Sequence, residues 1–135
     1  MLLLDSEAIS SLVHEPDHRR NRVIALIKEM RSRNLPIATV AAVLAEVVRG
    51  QPADAGVFAA TRRERMQVHP VEARTAIRAG QLLGAVGAGS ELAVDAFLVA
   101  DADLGGGAMI ATCDPSDLGR LASHAQRVQI ASLDG

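Results

Sequence analysis

A chain of 135 residues is about one domain's worth, and 49% hydrophobic with 22% charged residues places it among globular proteins and outside the disordered class. A formal charge of -2 excludes a polycation that holds nucleic acid by bulk charge. Two phenylalanines, Phe58 and Phe97, with no Tyr and no Trp, exclude a base-stacking platform.

Cys113 is the only cysteine, so no disulfide framework and no cysteine-based zinc site is expected. We expect it to be a small buried side chain. Met1 to Asp5 carries no basic stretch and its apolar run ends at once, so neither a signal peptide nor a membrane span is expected. The expected location is the cytoplasm. Lys28 is the only lysine beside many arginines, a bias that fits a GC-rich genome.

In chain order, Leu2 to Leu4 is a buried-strand candidate and Ser6 to Val13 a short helix. His14-Glu15-Pro16-Asp17 breaks the pattern. From Asp17 to Arg33, Val23, Ile24, Leu26, Ile27 and Met30 recur at helical spacing, and Asn34 stops the helix. Leu35 to Thr39 reads as a second strand, with Pro36 near its start, where a missing donor is tolerated. Val40 to Arg49 is a nearly all-apolar helix closed by Gly50. Ala53 to Arg65 is a helix, Gln67 to His69 a third strand, and Val71 to Leu83 a helix followed by a glycine-rich loop, Gly84 to Gly89. Ser90 is placed to cap a helix over Glu91 to Leu104, which Gly105-Gly106-Gly107 ends. Ala108 to Thr112 is a fourth strand, Pro115 to His124 a helix and Val128 to Ala131 a last strand. Strands alternating with helices over short links imply parallel pairing and right-handed crossovers, hence one three-layer α/β domain over residues 1–135.

Open parallel sheets bind ligands beyond the carboxyl ends of their strands. Asp5 follows the first strand and Asp114 comes two residues after Thr112 at the end of the fourth. Asp95, with Leu92, Leu98 and Val99 one turn either side, falls on an inward apolar stripe without a local partner. Glu46 is the sole acid of its helix. An ionised carboxylate on a buried face is costly unless it is paired or holds a metal. Four such groups in one pocket would raise one another's pKa, and a divalent cation with all-oxygen ligands, Mg²⁺ or Mn²⁺, would relieve them. Plainer readings stand beside this. Asp5 caps the helix after it, Glu46 pairs with Arg49, and Asp114-Pro115-Ser116-Asp117 is a helix start with acids at the cap and third positions.

With those residues placed, the chain resembles a PIN domain of the kind found in VapC toxins of bacterial toxin–antitoxin pairs. The resemblance rests on Leu2-Leu3-Leu4-Asp5-Ser6, on Val43-Leu44-Ala45-Glu46-Val47-Val48-Arg49-Gly50, on Val94-Asp95-Ala96-Phe97-Leu98-Val99-Ala100, and on Ala111-Thr112-Cys113-Asp114 with Pro115-Ser116-Asp117-Leu118 after it. Together with Ala79-Gly80 and Leu82-Leu83, the last element is similar to an actinobacterial subgroup. The resemblance implies a single PIN-like domain, a five-stranded parallel sheet between helical layers, and Mg²⁺- or Mn²⁺-dependent endoribonuclease activity. It implies Asp5, Glu46, Asp95 and Asp114 as the metal-binding catalytic quartet, Asp117 as a further acid, and Ser6 and Thr112 as auxiliary hydroxyls. Glu7 departs from the pattern, since many relatives are uncharged there; it either adds an acid to the rim or points away.

An RNA substrate, a cognate antitoxin and a homodimer are the implied partners, with no membrane. Candidate RNA contacts are Arg19, Arg20, Arg49, Arg62 and Arg63, with Arg22 and Arg65 beside them; their plainer reading is a solvated helix end. His14, His18, His69 and His124 are not spaced as a metal cluster and read as surface or loop residues. Ile24 and Ile27 serve either an interface or the core. The rival to a nuclease is a catalytically silent PIN fold used for binding or scaffolding. A receiver domain is disfavoured because Lys28 lies on an early helix, and a P-loop enzyme because no Gly-x-x-x-x-Gly-Lys-Ser/Thr stretch exists.

Overall fold

The computed structural model describes residues 1–14 and 18–134. The chain runs β1 (Leu2–Leu4), α1 (Ser6–Val13), α2 (His18–Ser32), β2 (Ile37–Val40), α3 (Ala41–Val47), α4 (Asp54–Arg63), β3 (Gln67–His69), α5 (Ala73–Val86), a 3-10 turn (Ser90–Leu92), α6 (Ala93–Leu104), β4 (Ala108–Thr112), α7 (Pro115–Ala122) and β5 (Val128–Ser132). All five strands are parallel, in the order β3-β2-β1-β4-β5. This is the expected three-layer α/β/α architecture.

The order fixes where a ligand meets the sheet. From β1 the chain steps outward to β2 and β3, then crosses back to β4 and on to β5. Right-handed crossovers therefore put α1 to α4 on one face and α5 to α7 on the other. The packing agrees: α1 lies against α2, α3 and α4, while α5, α6 and α7 pack on one another. The direction reverses between β1 and β4, so the crevice lies beyond the carboxyl ends of those two strands.

Leu2, Leu3 and Leu4 are wholly buried, as a central strand covered on both faces requires. Around them pack Ile9, Ile27, Leu82, Leu98, Ile110, Leu118 and Leu121. Ile27 is thus core, and Ile24 packs against it.

Several boundaries differ from the sequence reading. The α3 helix stops at Val47 instead of Arg49, because Val48 turns extended (φ -91°, ψ 132°) and Asp54 takes up the next amides. Gly50, with φ +70°, serves a turn beyond the helix rather than closing it. The segment Gly84 to Val86 is not loop; α5 continues through it to a left-handed cap at Gly87, where φ of +69° favours glycine. Ser90 does not cap α6 with its side chain; it begins the 3-10 turn, and the Gly89 amide is taken instead by the Glu91 carboxylate at 3.0 Å. The α4 helix ends at Arg63, and α7 at Ala122. The expected start of α2 at Asp17 and the break at Glu15 and Pro16 fall outside the described residues.

Candidate active site

Asp5 is 5% exposed and lies directly after β1, in the crevice. One bond orients its carboxylate: Ala8 N–H donates to Oδ1 at 2.8 Å, so Asp5 is the N-cap of α1. The Thr112 hydroxyl, one residue beyond the Leu4–Ala111 register, favours the charged form of the same carboxylate while donating to the Asp114 carbonyl at 3.3 Å. Burial still pushes Asp5 up to about 6, against both groups and with help from the charges of Glu7 and Asp95. The plain capping role and the inward acidic role belong to one side chain.

Asp95 stands in the first turn of α6, half-buried. Burial raises it to about 6, and the charges of Glu46, Asp117, Asp114 and Glu7 raise it further. The acids whose charges reach it stand on α3, at the start of α7 and at the start of α1. Asp114 is the N-cap of α7, accepting from Ser116 N–H at 3.3 Å. Thr112 joins this cap too, its Oγ1 accepting from Asp114 N–H at 3.0 Å. Asp117 differs from the others in having a cation, Arg120, at 3.4 Å.

Glu46 is exposed, and Arg49 does not neutralise it. The Arg49 guanidinium instead donates to the carbonyls of Ala45 (2.7 Å) and Val48 (2.9 Å), finishing the α3 terminus. The expected ion pair is therefore replaced by a C-terminal cap, and Arg49 is committed to backbone. Glu7, left open by sequence, lines the same cleft as Glu46, and its charge acts on Asp5, on Asp95 and on Cys113. The signal that could have found it is the helical offset, since α1 begins at Ser6 and turns Glu7 with it.

A cleft of about 270 Å³ opens beside this group, lined by Ser6, Glu7, Ser10, His14, Arg19, Glu46 and Cys113 among others. Cys113 is half-buried in its wall rather than fully buried, and burial lifts its thiol to about 11, which keeps it protonated. Arg20 and Arg63 line a neighbouring cleft instead. Arg63 also pairs with Glu64 at 2.9 Å, and Arg62 is exposed at the end of α4. Of the arginines named from sequence, only Arg19 thus lines the cleft that contains Glu46. Among the histidines, His69 departs from the surface reading: half-buried at the end of β3, its Nδ1 lies 2.8 Å from Asp101 of α6.

As donors, carboxylates and a threonine hydroxyl suit a hard divalent cation. Among the described residues, however, no three His, Cys, Asp or Glu side chains are gathered closely enough to hold an ion. The acids of this group still hinder one another's ionisation at Asp5 and Asp95.

The PIN domain family matches residues 2–123. The chain belongs to this family. As a PIN domain it is similar in fold to a chain in the crystal structure of VapBC2 from Rickettsia felis bound to a DNA fragment from their promoter. That likeness has a TM-score of 0.67 and covers 97% of each chain at 16% sequence identity. No curated protein matches it. Among the described residues, no helix of this PIN domain is long and apolar enough to cross a membrane.

Proposed function

We propose that this PIN domain is a metal-dependent endoribonuclease, the toxin of a toxin–antitoxin pair in the cytoplasm. One observation carries the nuclease reading. Asp95, half-buried, is raised to about 6 by burial and by acids from three other elements. A fold that gathers negative charge this way at its switch point is arranged for something positive. A scaffold protein would gain nothing from the arrangement.

To hold Mg²⁺ or Mn²⁺, Asp5, Glu46, Asp95 and Asp114 would have to draw closer together than they stand here, with Asp117 as a further acid, and the ion would supply Lewis-acid activation of water and stabilisation of phosphate charge. The remaining roles belong to the chain itself. Ala8 N–H holds the Asp5 carboxylate, and the Thr112 hydroxyl beside it favours its charged form. The raised pKa values of Asp5 and Asp95 belong to the metal-free site, where burial and neighbouring acids oppose their charge; a bound cation would favour their ionised forms. Ser6, in the cleft wall, is positioned to hydrogen-bond a strand. The near absence of aromatics favours recognition of backbone and shape over stacking.

The antitoxin partner and the toxin role draw on the resemblance and on the VapBC2 neighbour. A homodimer rests on the resemblance alone. The decisive experiment incubates purified protein with end-labelled RNA, with and without Mg²⁺ or Mn²⁺. Internal cleavage that requires the ion is expected, and its loss in Asp95→Asn. Metal-independent cleavage, or equal cleavage by the variant, overturns the reading. A short upstream reading frame with a DNA-binding N-terminal segment is the expected genomic neighbour of the toxin.

A further inference from the structure

Arg19 brings positive charge into the acidic cleft. It stands in the first turn of α2 and shares the cleft with Ser6, Glu7, Glu46 and Cys113. Its guanidinium is gripped from beyond β5 by Asp134. Nε donates to Oδ1 at 2.7 Å and Nη2 to Oδ2 at 3.1 Å. The adjacent His18 places Nε2 at 3.2 Å from the same Oδ1. Two parallel bonds from one guanidinium to two oxygens are the geometry by which arginine takes a carboxylate or a phosphate alike.

The site is also wet. The Arg19 side chain is 43% exposed and Asp134 37%. Exposed ion pairs contribute little net stability, so one anion is readily exchanged for another. The first turn of a helix favours whichever anion is bound there.

We propose that Arg19 and His18 form a subsite for a backbone phosphate of the bound RNA strand, flanking the acidic centre. Asp134 fills that subsite in the free protein as an internal anion, and the strand displaces it. The proposal rests on the ribonuclease reading and adds to it a phosphate position and a built-in competitor. It also explains how RNA approaches a cleft whose other charged groups include Glu7 and Glu46: the fork that receives the phosphate is already shaped.

The test is binding of a short single-stranded RNA oligonucleotide, read by fluorescence anisotropy in Mg²⁺ on an Asp95→Asn background that keeps the strand whole. Asp134→Asn is expected to tighten binding by about two- to fivefold, the range that an exposed ion pair spans. Glu72→Gln removes one negative charge elsewhere and is expected to tighten it less. Arg19→Gln is expected to weaken binding, to reduce the salt slope by about 0.7, and to erase the gain from Asp134→Asn when the two are combined. Equal tightening by Asp134→Asn and Glu72→Gln, or a gain that survives Arg19→Gln, overturns the proposal. A 5′-mononucleotide that binds as tightly as the oligonucleotide, with the same response to Arg19→Gln, overturns a strand subsite. Because binding is read apart from cleavage, a failure here leaves the ribonuclease reading intact. A parent protein that cuts no RNA sinks that reading without altering these binding differences.

Discussion

Asp5 and Thr112 face each other across neighbouring parallel strands, one residue past the Leu4–Ala111 pair, and the threonine hydroxyl favours the charged form of the aspartate. That hydroxyl serves two acids, since its oxygen also accepts the Asp114 amide. Thr112→Val keeps the shape and removes the hydroxyl. Two consequences are expected. Asp5 moves further above 6, because the lost hydroxyl favoured its charged form. Stability falls by about 1–2 kcal/mol, the penalty for leaving a buried polar group short of a partner. Urea unfolding measures the second, and an NMR pH titration of the Asp5 carboxyl in metal-free protein measures the first.

Asp95→Asn is expected to abolish metal-dependent cleavage while melting at or above the parent temperature. The sign follows from linkage. The folded value of about 6 lies above the ordinary 3.8, so the folded state holds the proton more tightly than the unfolded chain. The penalty for ionising Asp95 is absent below that ordinary value and complete above the folded one. Without metal the variant is expected to exceed the parent by about 1–2 kcal/mol near neutral pH, after allowance for solvent screening. The gap should close as pH falls from about 6 toward about 4. A gap independent of pH across that window would show that Asp95 is not crowded by acids.

Cation binding should follow the same window. Mn²⁺ is expected to raise the melting temperature of the parent protein more at neutral pH than at about pH 5, where protons compete for the carboxylates. Glu46→Gln and Asp95→Asn should each reduce the rise. Calorimetry with and without EDTA measures it, and an equal rise in the double variant would place the ion elsewhere.

Asp54 gives a test away from the chemistry. Its carboxylate accepts the amides of Arg49 (3.0 Å), Gly50 (2.8 Å) and Gln51 (3.2 Å), and these bonds hold its pKa below 3.8. Asp54→Ala is expected to lower the melting temperature. The depressed value places this stability above 3.8, so the difference from the parent should fade as pH drops through that value and below. A thermal scan at several pH values checks both statements.

The sheet, the burial of Asp5 and the inward position of Asp95 were legible because their signals are local. A run of three leucines ending in Asp5 can only be a covered strand, and an acid on an apolar helix stripe stands out at Asp95. What was not legible depends on partners distant in sequence. Helical pattern alone carries α3 to Arg49, and only Asp54 shows where it stops. Glycines suggested a loop at Gly84, yet α5 packs against α6 and continues to Gly87. Glu7 and Arg19 look like ordinary surface charges until the fold brings α3 and the residues after β5 beside them. His69 finds Asp101 across 32 positions.

The Asp54 cradle bears on how freely this stretch can vary. Its three bonds all go to main-chain amides, which every residue but proline presents. The side chain at Gln51 is therefore open to replacement as far as the turn is concerned, whereas that of Arg49 also caps the carbonyls of Ala45 and Val48. Gly50 is not open to replacement, because its φ of +70° suits few other residues. Substitution across this junction should be filtered by backbone chemistry at three sites and by residue identity at Gly50 and Asp54.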